Sequence, residues 1–224
     1  MLTVAVADWI LHPELSLVQV LHDYFETFPN RGYGGMFHHW AASRNREPYN
    51  SFGNGAAMRV SSVGFAFETM QEVLLWAERS AAVTHNHVEG IRGAQATAAA
   101  VFLARRVRDK DQIRNELQSR FGYNLNRGLE EIRPGYHFDE TCQGTVPQAL
   151  VSFLESTSYE DAIRNAISLG GDADTLACIA GGIAEGYYGE VPKDVAVPVK
   201  ELLDHNLLRI VDLFYRQHPV RPTS

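Results

Sequence analysis

Asp172, Asp174 and Thr175 follow directly on the pair Gly170-Gly171. Two carboxylates and a hydroxyl are hard oxygen donors, a set that suits Mg2+, Mn2+ or Ca2+ better than zinc. At a helix start, regular geometry sends residues two apart to different faces, but a non-helical first position lets both carboxylates point forward. The two glycines permit the sharp reversal that would aim them. The same residues fit a second role, in which Asp172 caps the helix and Asp174 complements its dipole. Spacing alone leaves both roles open.

The elements that must hold these residues read as helices. After Asp172 a helix runs to about Tyr188, and its Ala177, Ala180, Gly181 and Ala184 form a stripe so small that a neighbouring backbone must come close. That stripe predicts a helix embedded in the core, and a carboxylate pair at a buried helix end needs a compensating cation. The preceding helix shows Tyr159, Ala162, Ile163, Ala166 and Ile167 as its inward face and ends at the glycine pair. Before it, Val146, Ala149, Leu150, Phe153 and Leu154 form a stripe with Thr145 as N-cap and Pro147 in the first turn. From Ala56 onward the pattern is helical, and Ile91, Ala94, Ala98, Val101 and Phe102 mark a long Ala-rich helix. A last helix is expected from Val199 to Gln217, and an uncapped one over residues 2–11.

Two breaker-rich loops, Pro29 to Gly35 and Pro48 to Gly55, flank no alternating run, and neither an internal repeat nor a linker stands out. The expectation is one compact all-α domain over residues 1–224.

Composition narrows the function class. The chain of 224 residues has 20 Lys and Arg against 27 Asp and Glu, a net charge of -7 that opposes capture of a nucleic-acid backbone. Cys142 and Cys178 lack metal-motif spacing and are expected as core or near-core thiols in a reducing cytoplasm. No apolar run reaches the roughly 18 to 20 residues of a membrane span. Ala5-Val6-Ala7 has the small-residue look of a cleavage site but no basic leader before it.

Five segments carry a resemblance when taken in order: RGYGG from Arg31, PYNSFGNGAAMRV from Pro48, THNHVEG from Thr84, CQGTVPQAL from Cys142 and GGDADTLACIAGGIAEGYYG from Gly170. Together they resemble the ADP-ribosylglycohydrolase family, all-α hydrolases of an orthogonal helical type that remove ADP-ribose from proteins or small acceptors. The resemblance implies a site for two divalent cations, Mg2+ or Mn2+, with Asp172, Asp174 and Thr175 as ligands. It implies that Gly34, Gly35, Asn54, Gly55 and Met58 wrap the diphosphate and ribose of ADP-ribose, and that His85 lines the cleft. Tyr33 and Phe52 are expected either as aromatic lids over the adenine or as packing of loops on the core. His87 and Glu89 are expected at the surface. No catalytic residue is assigned.

The sequence departs from the family at its front. The family's Thr-Asp-Asp-Thr lies just before a helix resembling LTVAVADWIL, so the chain reads as N-terminally truncated, with half of the metal ligands absent. Two functions are therefore expected: a metal-dependent ADP-ribosylhydrolase, or an ADP-ribose or nucleotide binder impaired in turnover. Asp139 or Glu140, or a partner chain, would be alternative sources of donors. An apolar groove left at the front would be covered by a partner or by a second copy of the chain, a homo-oligomer.

Overall fold

Alanine and glycine decide how the helices meet. The longest helix, α7 (Val88–Arg106), buries Ala94, Ala98 and Phe102 on one side and Ala96, Ala99, Ala100, Val101 and Ala104 on another. These two faces serve two apolar clusters, so α7 stands between them. The computed structural model describes residues 1–220.

On one side of α7 lie α1 (Leu2–Leu11), α2 (Leu17–Thr27), α3 (Gly35–Ala42) and α6 (Met70–Ala82), where Trp9, Leu21, Phe37 and Trp40 are buried. The short α4 (Gly55–Met58) and α5 (Ser61–Ala66) both pack on α7. On the other side are α8 (Lys110–Phe121), α9 (Leu129–Ile132), a 3-10 turn at Arg133–Gly135, α10 (Cys142–Leu154), α11 (Tyr159–Ser168) and α12 (Ala173–Tyr188). Next come α13 (Lys193–Leu202) and α14 (His205–Gln217), and α14 returns to pack on α1. Among the described residues there is no strand, only one isolated bridge between Gly53 and Thr141. The all-α expectation is met.

Helix α12 is central. It touches α7, α10, α11, α4 and α5, and Leu176, Ile183, Ala180 and Ala184 are fully buried along it. Burying a Leu or Ile side chain contributes about 1.5–3 kcal/mol, so burial from Leu176 onward fixes the helix in place. Of the stripe expected from the sequence, Ala180 and Ala184 are fully buried and Ala177 is half-buried, and a side chain on Gly181 would come within 2.9 Å of the Ile163 side chain on α11.

Several boundaries differ from the sequence reading. Helix α10 begins at Cys142 with Thr141, not Thr145, as N-cap, because Thr141 Oγ1 accepts from the Gly144 N–H at 3.1 Å. Pro147 therefore lies inside the helix rather than in its first turn. The expected last helix is two helices, because Leu203 is extended and Asp204 caps a new start by accepting from Asn206 N–H at 2.8 Å. Ile167, expected inward, is 53% exposed, since Ala162 and Ala166 already fill the face of α11 that meets its neighbours. Of the two cysteines, Cys142 is buried as expected and Cys178 is exposed, on the side of α12 away from Leu176 and Ile183.

Candidate functional site

The site assembles where the Pro48–Gly55 loop meets the first turn of α12. Gly170 and Gly171 both have positive φ, at 74° and 62°. A side chain on Gly171 would approach Tyr136 Cε1 to 2.8 Å and the His137 carbonyl to 2.9 Å, so only glycine lets the 136–137 segment close over this turn. The reversal sets Asp172 at the N-cap of α12 with φ -82° and ψ 61°.

Asp172 makes no side-chain capping bond. Its Oδ2 instead accepts from Asn54 Nδ2 at 2.6 Å, and the same Asn54 amide donates to Thr145 Oγ1 at 2.9 Å. Thr145 is anchored in turn by donating to the Asp139 carbonyl at 2.9 Å. Asn54 thus ties the loop, α10 and the start of α12 together, and it is itself only 7% exposed. Desolvation by burial, with the neighbouring Asp174 carboxylate adding to it, raises the Asp172 carboxyl above the ordinary range, while the Asn54 bond acts the other way.

Asp174 is exposed and its Oδ1 accepts from the Thr175 N–H at 3.0 Å. The buried carboxylate pair expected from the small-residue stripe is therefore only half realised: Asp172 is partly buried and Asp174 faces solvent, because the embedded part of α12 begins at Thr175 and Leu176. Thr175 is buried, with its hydroxyl toward Met58 Sδ at 4.0 Å. The Met58 carbonyl accepts from Thr3 Oγ1 and from Cys178 Sγ, both at 3.3 Å, which brings the start of α1 to the same place.

Asp172, Asp174 and Thr175 are oxygen donors of the kind a hard divalent cation takes, and the like charge of the two carboxylates favours one. Among the described residues no group of three or more His, Cys, Asp or Glu gathers into a metal cluster.

The glycine loop is held by its own backbone. Gly53 N–H donates to Ser51 Oγ at 3.1 Å and Asn54 N–H to the Glu140 carbonyl at 2.7 Å. The Cys142 N–H donates to the Phe52 carbonyl at 2.9 Å. Phe52 itself is 45% exposed, its ring centroid 5.3 Å from that of His87. His87 is half-buried and caps α7 by accepting from Glu89 N–H, and Glu89 pairs with Arg92 at 3.2 Å.

His85 lies against this loop. Its Nε2 is 3.4 Å from where a Cβ on Gly55 would stand and 3.8 Å from one on Gly53. Burial, with the Arg59 cation second, pushes the imidazole down to about 3, so it is neutral at any ordinary pH. Arg59 is 1% exposed and donates to the Ser80 carbonyl at 2.6 Å and to Thr84 Oγ1 at 2.9 Å. The Thr84 hydroxyl also bonds His85 Nδ1 at 2.8 Å.

The site residues inferred from sequence thus divide. Asn54, Gly55, Met58, His85, Asp172, Asp174 and Thr175 form one connected set, with Phe52 at its edge. Tyr33 instead packs against Phe25 and Phe37, with ring centroids 5.2 and 5.4 Å away, and its hydroxyl donates to the Phe28 carbonyl. Gly34 and Gly35 are exposed at the start of α3. Residues not foreseen are Arg59, Thr84, Thr145 and Tyr136. The Tyr136 phenol sits between Asp139 and Asp172 and is pushed up to about 12, mainly by burial, so it stays protonated. It lines a surface cavity of about 270 Å³ with His137, Phe138, Asp139, Gly144 and Gln148.

Comparison with known proteins matches the chain to one family. The chain is 27% identical to the bovine ADP-ribosylhydrolase ARH3 over 79% of its own length and 66% of that protein. The figures for the human protein are 28%, 79% and 66%. The ADP-ribosylarginine hydrolase Tri1 of Pseudomonas putida is 27% identical over 83% of this chain and 51% of its own. The chain thus spans just under two thirds of these two mammalian relatives. A solved structure described as an ADP-ribosylglycohydrolase-related protein complex superposes with a TM-score of 0.71 at 22% identity, covering 97% of this chain and 80% of that one, and so shares the fold. The family model for ADP-ribosylglycohydrolase matches residues 2–222, both sides of the Asn54–Asp172 junction included, and the chain belongs to the ADP-ribosylglycohydrolase family.

Proposed function

We propose that the chain acts as an ADP-ribosylhydrolase dependent on a divalent cation, cleaving a glycosidic bond between ADP-ribose and a protein or small acceptor. The observation that carries this reading is the Asn54–Asp172 hydrogen bond at 2.6 Å, which seats the glycine loop directly against the acidic start of α12. A substrate with a diphosphate and two riboses needs both chemistries side by side: a close-approach loop for phosphate and oxygen donors near the bond that breaks.

In this reading Asp172, Asp174 and Thr175 hold Mg2+ or Mn2+. Such a cation orients ribose hydroxyls and water and offsets charge that develops at the reacting sugar. The chain's own residues do the rest. Gly53 and Gly55 place no side chain over His85, whose neutral ring adds a polar contact without a competing charge. Asn54 keeps the Asp172 carboxylate directed. Phe52, half exposed at the rim, is the aromatic surface available to the adenine.

Incubation with Mg2+ or Mn2+ and ADP-ribosylated peptides releases free ADP-ribose if the reading is right. No release at micromolar protein, over arginine- and serine-linked substrates, would reject it. The three donor groups at the start of α12 are fewer than the roughly six a hard cation takes, which favours as a second reading an ADP-ribose binder with little turnover. Calorimetry with ADP-ribose in the absence of metal separates the two. No described helix is long and apolar enough to cross a membrane, and the free thiols of Cys142 and Cys178 fit the cytoplasm as the place of action.

A further inference from the structure

Among the described residues Arg59 is the most completely buried charged side chain, at 1% exposed, and it is not one of the groups proposed to meet the metal or the substrate. Its guanidinium donates to two neutral oxygens, the Ser80 carbonyl and Thr84 Oγ1. Taking a cation out of water for two neutral partners is unfavourable, and one of those partners, Thr84, is itself bonded to His85.

We propose that Arg59, acting through Thr84, fixes the His85 imidazole with its hydrogen on Nε2, presented to an anionic group held at the Gly53–Gly55 turn. Guanidinium can only donate, so Thr84 Oγ1 must accept from Arg59. The hydroxyl has one hydrogen left to give, and His85 Nδ1 lies 2.8 Å away. A cation behind Thr84 also favours a lone pair over an N–H on the side of the ring that faces it. Nδ1 is then the acceptor and Nε2 carries the hydrogen.

The Nε2 edge is the one that lies 3.4 and 3.8 Å from the positions a side chain on Gly55 or Gly53 would take. The glycines keep that N–H uncovered. Tyr49 is the other titratable group here: its ring centroid is 5.8 Å from that of His85, and its phenol faces Thr84 as a competing acceptor. Burial raises that phenol, so it too is neutral. Arg59 and Thr84 are positioning residues in this scheme. That the anion is the diphosphate of ADP-ribose rests on the proposed function, whereas the fixed tautomer does not.

The test is nitrogen-15 NMR of the imidazole in the ligand-free protein, joined to binding of ADP-ribose and of adenosine. Wild type shows His85 as the Nε2–H tautomer at neutral pH, and so does Tyr49→Phe. Thr84→Val shifts the ring toward the Nδ1–H form and weakens ADP-ribose about tenfold, with adenosine unchanged, and Thr84→Ser restores both. A wild-type ring protonated on Nδ1, or a ring unaltered in a folded Thr84→Val protein, overturns the proposal. If that valine variant does not fold, the wild-type and Tyr49→Phe spectra still decide it. A fixed Nε2–H tautomer that responds to Thr84, in a protein that binds no ADP-ribose, supports the relay and rejects only the ligand assignment.

Discussion

Asn54 and Asp172 meet at 2.6 Å although 118 positions separate them, and the same Asn54 amide holds Thr145 at 2.9 Å. One side chain thus sets the distance between the glycine loop and the acidic turn. Asn54→Ala removes both bonds and leaves Asp172 without its amide donor. A hydrogen bond to a charged group contributes about 1.5–3 kcal/mol, so the variant is expected to be less stable by about 2 kcal/mol in urea unfolding, with weaker ADP-ribose binding. A loss under about 0.5 kcal/mol would mean the junction is held elsewhere.

The glycine pair gives a sharper contrast. A methyl group on Gly171 meets Tyr136 Cε1 at 2.8 Å and the His137 carbonyl at 2.9 Å, whereas one on Gly170 meets nothing within 4 Å. Both residues have positive φ. Gly170→Ala therefore carries only the left-handed strain, about 1 kcal/mol, while Gly171→Ala adds a collision with backbone and is expected to cost about 2–3 kcal/mol more. Equal thermal shifts for the two would contradict the close packing of the 136–137 segment.

Asp174 separates the metal role from the dipole role. It is exposed, accepts from the Thr175 N–H and stands beside the Asp172 carboxylate, so Asp174→Asn should alter the stability of the metal-free protein by about 0.5 kcal/mol or less. If Asp174 is a ligand, the same change abolishes the rise in melting temperature that Mn2+ produces in the wild type. An unchanged Mn2+ response would leave Asp174 with the dipole alone.

How much of this was readable in advance follows from which contacts are local. Helix α7 was legible because its Ala and Phe spacing repeats within the helix itself. The start of α10 was not: Thr141 and Thr145 lie one turn apart ahead of the same apolar run, and the choice is made by Phe52, whose carbonyl accepts from Cys142 N–H at 2.9 Å. No local pattern carries that. Likewise Asp204 marks the start of α14 with a good capping side chain, but Leu202 and Leu203 fit the apolar rhythm and concealed the break. Family resemblance singled out Asn54 and His85, whereas Arg59 and Thr84 went unnoticed, because a buried arginine bonded to a carbonyl and a hydroxyl leaves no spacing of charges to find. Tyr33 fits an aromatic cluster as well as it fits a lid, and only the positions of Phe25 and Phe37 distinguish the two.

His85 makes a prediction about acid stability. Its folded pKa of about 3 lies below the ordinary 6.5 because burial and the Arg59 cation both oppose protonation. Between those values the unfolded chain binds a proton that the folded one does not, so stability is full above about pH 6.5 and falls as the pH drops toward 3. Each pH unit in that window removes about 1.4 kcal/mol. From pH 7 to pH 5 the wild type should therefore lose about 2 kcal/mol more than His85→Gln, which has nothing to protonate there. His22 and His218 are also lowered, chiefly by burial, but both remain in the variant and cancel from the difference. Parallel urea titrations at the two pH values measure it, and equal losses in the two proteins would show that His85 is not buried in its neutral form.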